Sequence, residues 1–197
     1  MAAAYPPSFY DRRTERVARD LLGAILRCET PEGIASGRIV ETEAYLGEHD
    51  LACHAAAGRT ARTEGLYGEP GTAYVYFTYG MHWCANAVTR KEGLPSAVLI
   101  RALEPLEGLE LMAARRRGIR NVRDLANGPA KLCAALGITG ALNGVRLRRS
   151  QLTIRPGTPV PDREVAVTPR IGITKAVDWP LRWIATRSDC LSRPYRP

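Results

Sequence analysis

Strand-like runs dominate the first half of this chain and follow one another through turns and loops, not helices. That order restricts the fold more than any other feature. Ala24–Glu29 and Ile34–Tyr45 suit a pleated surface, and Pro31, Glu32 and Gly33 supply turn chemistry between them. Ala73–Thr78 and Met81–Thr89 flank Tyr79 and Gly80, the pattern of a β-hairpin with a tight tip. Ala97–Leu103 is a further strand. Helical spacing comes in three places. Glu15–Leu22 would bury Val17, Leu21 and Leu22 and end at Gly23. Leu106–Arg117 would carry Leu106, Leu109 and Met112 on one face, with arginines at its C-terminal end where cations suit the helix dipole. A helix from Pro129 through Leu136 would be capped by Asn127 and followed by Gly137. Short strands near Leu152–Arg155, Glu164–Thr168 and Leu181–Thr186 follow. Strands, then helices, then strands again predict an α+β fold and not repeated βαβ units. The 197 residues suit one domain, 1–197, with residues 1–14 a loosely ordered lead-in.

Composition narrows the partner. The net charge is +8 at pH 7, and of the 28 Lys and Arg residues only Lys91, Lys131 and Lys175 are lysines. Guanidinium forks match phosphate oxygens, so this balance favours a polyanion, although solubility alone would also account for it. No apolar run approaches the roughly 20 residues of a membrane span, and Met1–Pro7 lacks the order of a secretory signal. A cytoplasmic protein with no membrane partner is expected. Cys28, Cys53, Cys84, Cys133 and Cys190 are odd in number and widely spaced, so buried free thiols are expected and not disulfides or structural zinc.

Four groups of residues could carry chemistry. In RIVETEAYLG, Arg38–Gly47, alternation puts Ile39, Glu41, Glu43 and Tyr45 on one strand face. Two carboxylates roughly 6.5–7 Å apart resemble an active-site edge, and equally a solvated face of paired acids. His49, Asp50, Cys53 and His54 are metal-ligand types, but their spacing matches no tight zinc site, and no metal is expected. Tyr67, Tyr74, Tyr76 and Tyr79 crowd into thirteen residues. Tyr74 and Tyr76 fit either a base-stacking platform or a core, whereas Tyr79 sits at a hairpin tip where an aromatic can wedge between bases. Arg101, among Val98, Leu99, Ile100 and Leu103, needs an anionic partner, for which Glu43 or Glu41 is the obvious candidate. The long segment 46–72, rich in glycine, is the length of a functional loop.

Taken in order, RIVETEAYLG, His54, PGTAYVYFTYGM, Asn86, VLIRALEPLEGLE, NGPAKLCAALGI and PRIGI resemble the 3-methyladenine DNA glycosylases of the mammalian alkyladenine type, over about residues 8–187. The resemblance implies a single α+β domain on a curved antiparallel sheet with flanking helices and a protruding hairpin, and no cofactor. It implies that Glu43 is the general base and that Arg101 helps it hold the attacking water. Tyr45, His54 and Tyr76 would line the pocket for an extruded base. Asn86 at its floor would disfavour the amino group of normal guanine. Tyr79 would enter the minor groove. Glu41 and Arg170 would support the site from behind, and the PRIGI segment, Pro169–Ile173, would offer the water a backbone contact. Thr63 and Leu66 stand where the family often has asparagine and methionine, and His82 where tyrosine is common, which bears on the range of lesions accepted.

The expected activity is that of a monofunctional enzyme. It would flip alkylated or deaminated purines out of double-stranded DNA as a monomer and release them with Glu43-activated water. Its substrates would be 3-methyladenine and 7-methylguanine, with hypoxanthine and ethenoadenine as further candidates. It would work in the cytoplasm, on the nucleoid in a bacterium, and start base excision repair. No lysine falls in the proposed pocket segments, which argues against a Schiff-base lyase. The rival readings are a non-catalytic binder of damaged DNA and an RNA-binding module.

Overall fold

The computed structural model describes residues 2–196. Eight strands form one antiparallel sheet: β1 (Ile25–Thr30), β2 (Gly33–Tyr45), β3 (Ala73–Thr78), β4 (His82–Val88), β5 (Ala97–Glu107), β6 (Leu152–Arg155), β7 (Val165–Thr168) and β8 (Arg182–Ala185). The main path runs β3-β4-β5-β2-β1-β6. The sheet branches at the long β2, which changes partner along one edge. Its first half pairs with β1, and Glu41–Glu43 pair with β8, which in turn carries β7. The opposite edge of β2 lies along β5. The α+β expectation holds.

Alternation divides the sheet into two faces. Val75, Ala85, Ala87, Val98, Ile100 and Ala44 enter the main hydrophobic core. On that face lie α2 (Thr14–Asp20) and α4 (Pro129–Leu136), contributing Val17, Ala18, Leu132, Cys133 and Leu136. Thr42 joins sheet to helix by donating its hydroxyl to the Ala18 carbonyl at 2.9 Å. Helix α4 starts on Pro129 and stops where Gly137 takes φ +73°, with the Ile138 N–H closing on the Cys133 carbonyl at 2.8 Å. Truncating Leu136 to alanine would cost about 2–5 kcal/mol. The other sheet face carries Tyr74, Tyr76, Asn86 and Leu99, roofed by segment 46–72 and its 3₁₀ turns His54–Ala57 and Glu64–Tyr67. Cys53, Ala55, Leu66 and Tyr67 form a small second core there.

Four expectations change. Alternation fails at Ile39, which lies in the main core beside Val40 and not with the carboxylates. The cause is a pair of register shifts: Ile39 pairs with Leu103, Glu41 with Ala102 and Thr42 with Ile100, so Val40 and then Arg101 are extra residues. Helix α3 spans only Leu109–Arg115, because β5 continues to Glu107 along β2 and leaves Leu106 exposed. Gly108 turns the chain at φ +76°, where a Cβ would lie 2.2 Å from the Ile34 carbonyl oxygen. Asn127 does not cap α4. It donates to Asp124 at 2.9 Å and accepts from Lys131 at 2.8 Å, and Gly128 holds the capping position. The lead-in is not loose either: α1 (Pro7–Tyr10) buries Tyr10, Tyr5 stacks on Phe9 at 3.8 Å, and the Tyr5 N–H reaches the Ile154 carbonyl.

All five cysteines are buried and free. No helix among the described residues is long and apolar enough to cross a membrane.

Candidate active site

A row of side chains crosses the pocket face. Glu43 of β2 pairs with Leu99 of β5, Leu99 with Asn86 of β4, and Asn86 with Tyr74 of β3. The register that sets the sheet therefore also sets the distance from carboxylate to aromatic wall. Above the row lies a cavity of about 560 Å³, within the range of small-ligand sites. Tyr45, His54, Leu66, Tyr76, Cys84 and Asn86 are among its walls, and Ile171–Lys175 form part of its rim.

Glu43 stands behind the wall made by Tyr45, Arg101 and Ile171, with its side chain fully buried. Its carboxylate accepts from the Tyr45 hydroxyl at 2.9 Å, from Arg101 Nη1 at 3.1 Å and from the Ile171 N–H at 2.7 Å. Burial drives its pKa upward, against the pull of Arg101, Ile171 and Tyr45, and Glu41 adds to the rise. The balance leaves a carboxylate with raised proton affinity, which suits a general base better than an ordinary acid.

Glu41, two residues away, is held differently. Its Oε1 accepts from Arg101 Nε at 2.9 Å, Arg182 Nε at 2.7 Å and Ser192 Oγ at 2.7 Å, and its Oε2 from the Ser192 N–H at 2.7 Å. Burial would raise its pKa, but Arg101, Arg182 and these hydrogen bonds hold it below the usual glutamate value. One strand thus carries two carboxylates whose proton affinities are shifted in opposite directions by their environments. Arg101, the extra residue on β5, bridges them.

Arg170 forms a second clamp. It donates to both carboxylate oxygens of Asp50 and, at 3.1 Å, to the Ala44 carbonyl, and its guanidinium lies 4.7 Å from the centre of the Tyr45 ring. The pair ties loop 46–53 to the PRIGI segment and fixes the tyrosine that touches Glu43. Asp50 also accepts from the N–H groups of Leu46 and Ala52.

The aromatic wall is self-supporting. His54 lies 4.5 Å from Tyr76, steeply tilted to it, and its Nδ1 meets the Tyr74 hydroxyl at 3.0 Å. That hydroxyl donates to the Arg62 carbonyl at 3.2 Å, which leaves it to accept from His54. Burial and then Arg62 lower the His54 pKa, so its ring is neutral near pH 7. Asn86 lines the pocket and donates to the Tyr74 carbonyl at 2.9 Å.

Tyr79 protrudes from the hairpin tip, 83% exposed. It has φ +52° and Gly80 has φ +68°, both left-handed, in a three-residue loop closed by the Met81 N–H on the Thr78 carbonyl at 3.2 Å. A tyrosine held at positive φ on the surface is a strained choice that turn-forming alone does not explain.

Glu43, Arg101, Tyr45, His54, Tyr76 and Asn86, the residues expected at the site, lie together in the structure. Several details differ. The PRIGI backbone contact, from the Ile171 N–H, goes to Glu43 itself. Lys175 lines the cavity rim, so lysine does approach the pocket. His49 and Asp50 do not join His54. Among the described residues no group of three or more His, Cys, Asp or Glu could hold a metal ion. Thr63 ties loop 58–63 by accepting from the Thr60 N–H at 2.8 Å, Leu66 lines the pocket, and His82 is exposed beside the tip. Arg182, Ser192 and the pairing role of Asp50 were missed. Arg182 carried a readable signal, an arginine between Leu181 and Trp183, the same signal that marked Arg101.

The profile of the family described as methylpurine-DNA glycosylase (MPG) matches residues 8–189. A protein of Methanocella arvoryzae, provisionally named a 3-methyladenine DNA glycosylase, is 48% identical over 192 residues, covering 95% of each chain. A protein of Myxococcus xanthus with the same provisional name is 52% identical over 174 residues, covering 88% of this chain and 84% of its own. A third, from Salinibacter ruber, is 49% identical over 198 residues, covering 95% of each. This chain is a DNA glycosylase, a hydrolase of N-glycosyl bonds in DNA repair. Within that class it belongs to the methylpurine-DNA glycosylase family.

Proposed function

We propose that this enzyme excises alkylated purines from double-stranded DNA by base flipping, with Glu43 activating water, and that it acts as a monofunctional glycosylase. The observation that carries the reading is the buried Glu43 carboxylate set behind an aromatic pocket and held by Tyr45, Arg101 and the Ile171 N–H.

A base inside a duplex cannot reach such a pocket, so its nucleotide must leave the stack, at a cost of a few kcal/mol that is least at a damaged pair. Tyr79, presented on the exposed tip, would stack in the gap. Purines methylated at N3 or N7 carry a positive charge, and the faces of Tyr45, Tyr76 and neutral His54 attract it by about 0.5–2 kcal/mol per good contact. The same charge eases departure. As the N-glycosidic bond breaks, its electron pair stays with the base, which leaves neutral. The sugar develops oxocarbenium character that the Glu43 carboxylate offsets. Water then bonds to C1′ and its proton passes to Glu43. Asn86 at the floor would test the base edge and disfavour the exocyclic amino group of normal guanine.

A release assay over four duplexes tests the proposal. Cationic 3-methyladenine and 7-methylguanine should be freed readily. Neutral hypoxanthine and ethenoadenine leave as anions unless protonated and should be freed more slowly. Binding to these duplexes with no release from any of them would favour the non-catalytic reading.

A further inference from the structure

We propose that Ser192, three residues beyond the end of the family match, is a positioning residue for base release: it seats Glu41 so that Arg101 stays aimed at Glu43.

The segment after β8 does not trail into solvent. Cys190 and Leu191 are buried against the main core and Tyr195 packs on it. That anchoring delivers Ser192 to the inner side of the carboxylate pair. Both of its donors are used there, the N–H on Glu41 Oε2 and the hydroxyl on Glu41 Oε1, each at 2.7 Å. The hydroxyl oxygen also accepts from Arg101 Nη2 at 3.4 Å. Glu41 is thus satisfied from three directions, by Ser192, Arg182 and Arg101.

The consequence falls on Arg101. It shares its guanidinium between the two carboxylates, and the contact to Glu43 is the longer, 3.1 Å against 2.9 Å. A well-seated Glu41 demands little from it. If the Ser192 hydroxyl is lost, Oε1 keeps only the two guanidinium N–H groups, and Arg101 is drawn toward Glu41. Glu43 then loses part of its compensating charge and ionises at higher pH. Ser192 is not among the residues that line the pocket and its hydrogen bonds go to Glu41 and Arg101, not to Glu43, so its effect reaches Glu43 through Arg101.

This inference rests on Glu43 being the base, and the experiment keeps the two apart. Single-turnover release of 3-methyladenine from duplex DNA is measured against pH for the wild type, Glu43→Gln, Ser192→Ala and Ser192→Thr, together with duplex binding and thermal unfolding. Ser192→Ala should slow release at neutral pH about tenfold, the size expected of one charge-assisted hydrogen bond. It should move the acidic limb of the profile to higher pH and leave duplex binding unchanged. Ser192→Thr, which keeps the hydroxyl, should restore both rate and limb. If Ser192→Ala unfolds, Ser192→Cys, with a weaker donor of similar size, should show a smaller shift in the same direction. A Ser192→Ala enzyme, or failing that a Ser192→Cys enzyme, with the wild-type rate and profile would overturn the proposal. A slowed alanine variant whose limb stays in place would overturn it too, because that is loss of structure without repositioning. Undiminished release by Glu43→Gln would instead overturn the reading of Glu43, whatever Ser192 does.

Discussion

Arg101 reaches Glu43 at 3.1 Å from a β-bulge on β5, while its Nε holds Glu41 at 2.9 Å. Bulges beside active sites re-aim side chains, and here the extra residue is itself the cation that the two carboxylates share. The arrangement holds Glu41 below the usual glutamate range and leaves Glu43 with a raised proton affinity. Burying a carboxylate whose proton affinity is raised gives up stability, and that cost can be measured.

The first prediction follows from its sign. Burial, opposed by Arg101, Ile171 and Tyr45, lifts the folded-state pKa of Glu43 above 4.5. The folded protein therefore binds this proton more tightly than the unfolded chain, and ionising Glu43 lowers stability as pH rises through that interval. Glu43→Gln should melt higher than wild type at neutral pH, with the difference closing as pH falls toward 4.5. A variant less stable than wild type at neutral pH would contradict this.

Asp50 carries the opposite sign. Burial would raise its pKa, but Arg170 and the N–H groups of Leu46 and Ala52 hold it below 3.8. Its contribution is complete above that range and is lost as pH falls below it. Asp50→Asn leaves the Arg170 guanidinium buried without its counter-ion and should cost about 3–5 kcal/mol at neutral pH. Urea unfolding of the two proteins should show that gap at pH 7 and a narrowing of it in acid. Equal midpoints at pH 7 would show that the Arg170 clamp adds nothing to the fold.

At the hairpin tip, stability and function should separate. Tyr79→Ser should weaken capture of lesion-containing duplex about tenfold, since stacking one aromatic on a base is worth about 1–3 kcal/mol. Tyr79→Gly should lose the same affinity without lowering the melting temperature, because φ +52° suits glycine better than tyrosine. Unchanged affinity in both variants would reduce Tyr79 to a turn residue.

Lys175 on the cavity rim makes strand cleavage a direct question. If water is the nucleophile, borohydride should trap no covalent adduct between enzyme and alkylated DNA. A trapped adduct that disappears in Lys175→Ala would make the enzyme bifunctional.

Much of this was legible in the sequence because period-two alternation is local. It placed Glu41, Glu43 and Tyr45 on one face, and the positions of Tyr79 and Gly80 marked the tip. Local pattern failed where a partner strand decides. Leu106 has helical spacing, yet β2 is long enough to keep β5 extended past it. Ile39 fits the alternation, yet the bulge at Val40 turns it into the core. Asn127 suits a cap, but Asp124 and Lys131 claim its side chain. Ser192 had no signal at all, since its role depends on a tail folding back 151 positions to Glu41.

The central claim is that Glu43 activates the water that replaces the base. Single-turnover release of 3-methyladenine by Glu43→Gln, with lesion binding measured on the same preparation, tests it most directly. The account predicts a rate reduced by about 10²–10⁴, the usual contribution of a general base, with binding retained. Release at the wild-type rate by a folded, binding-competent Glu43→Gln enzyme would contradict it.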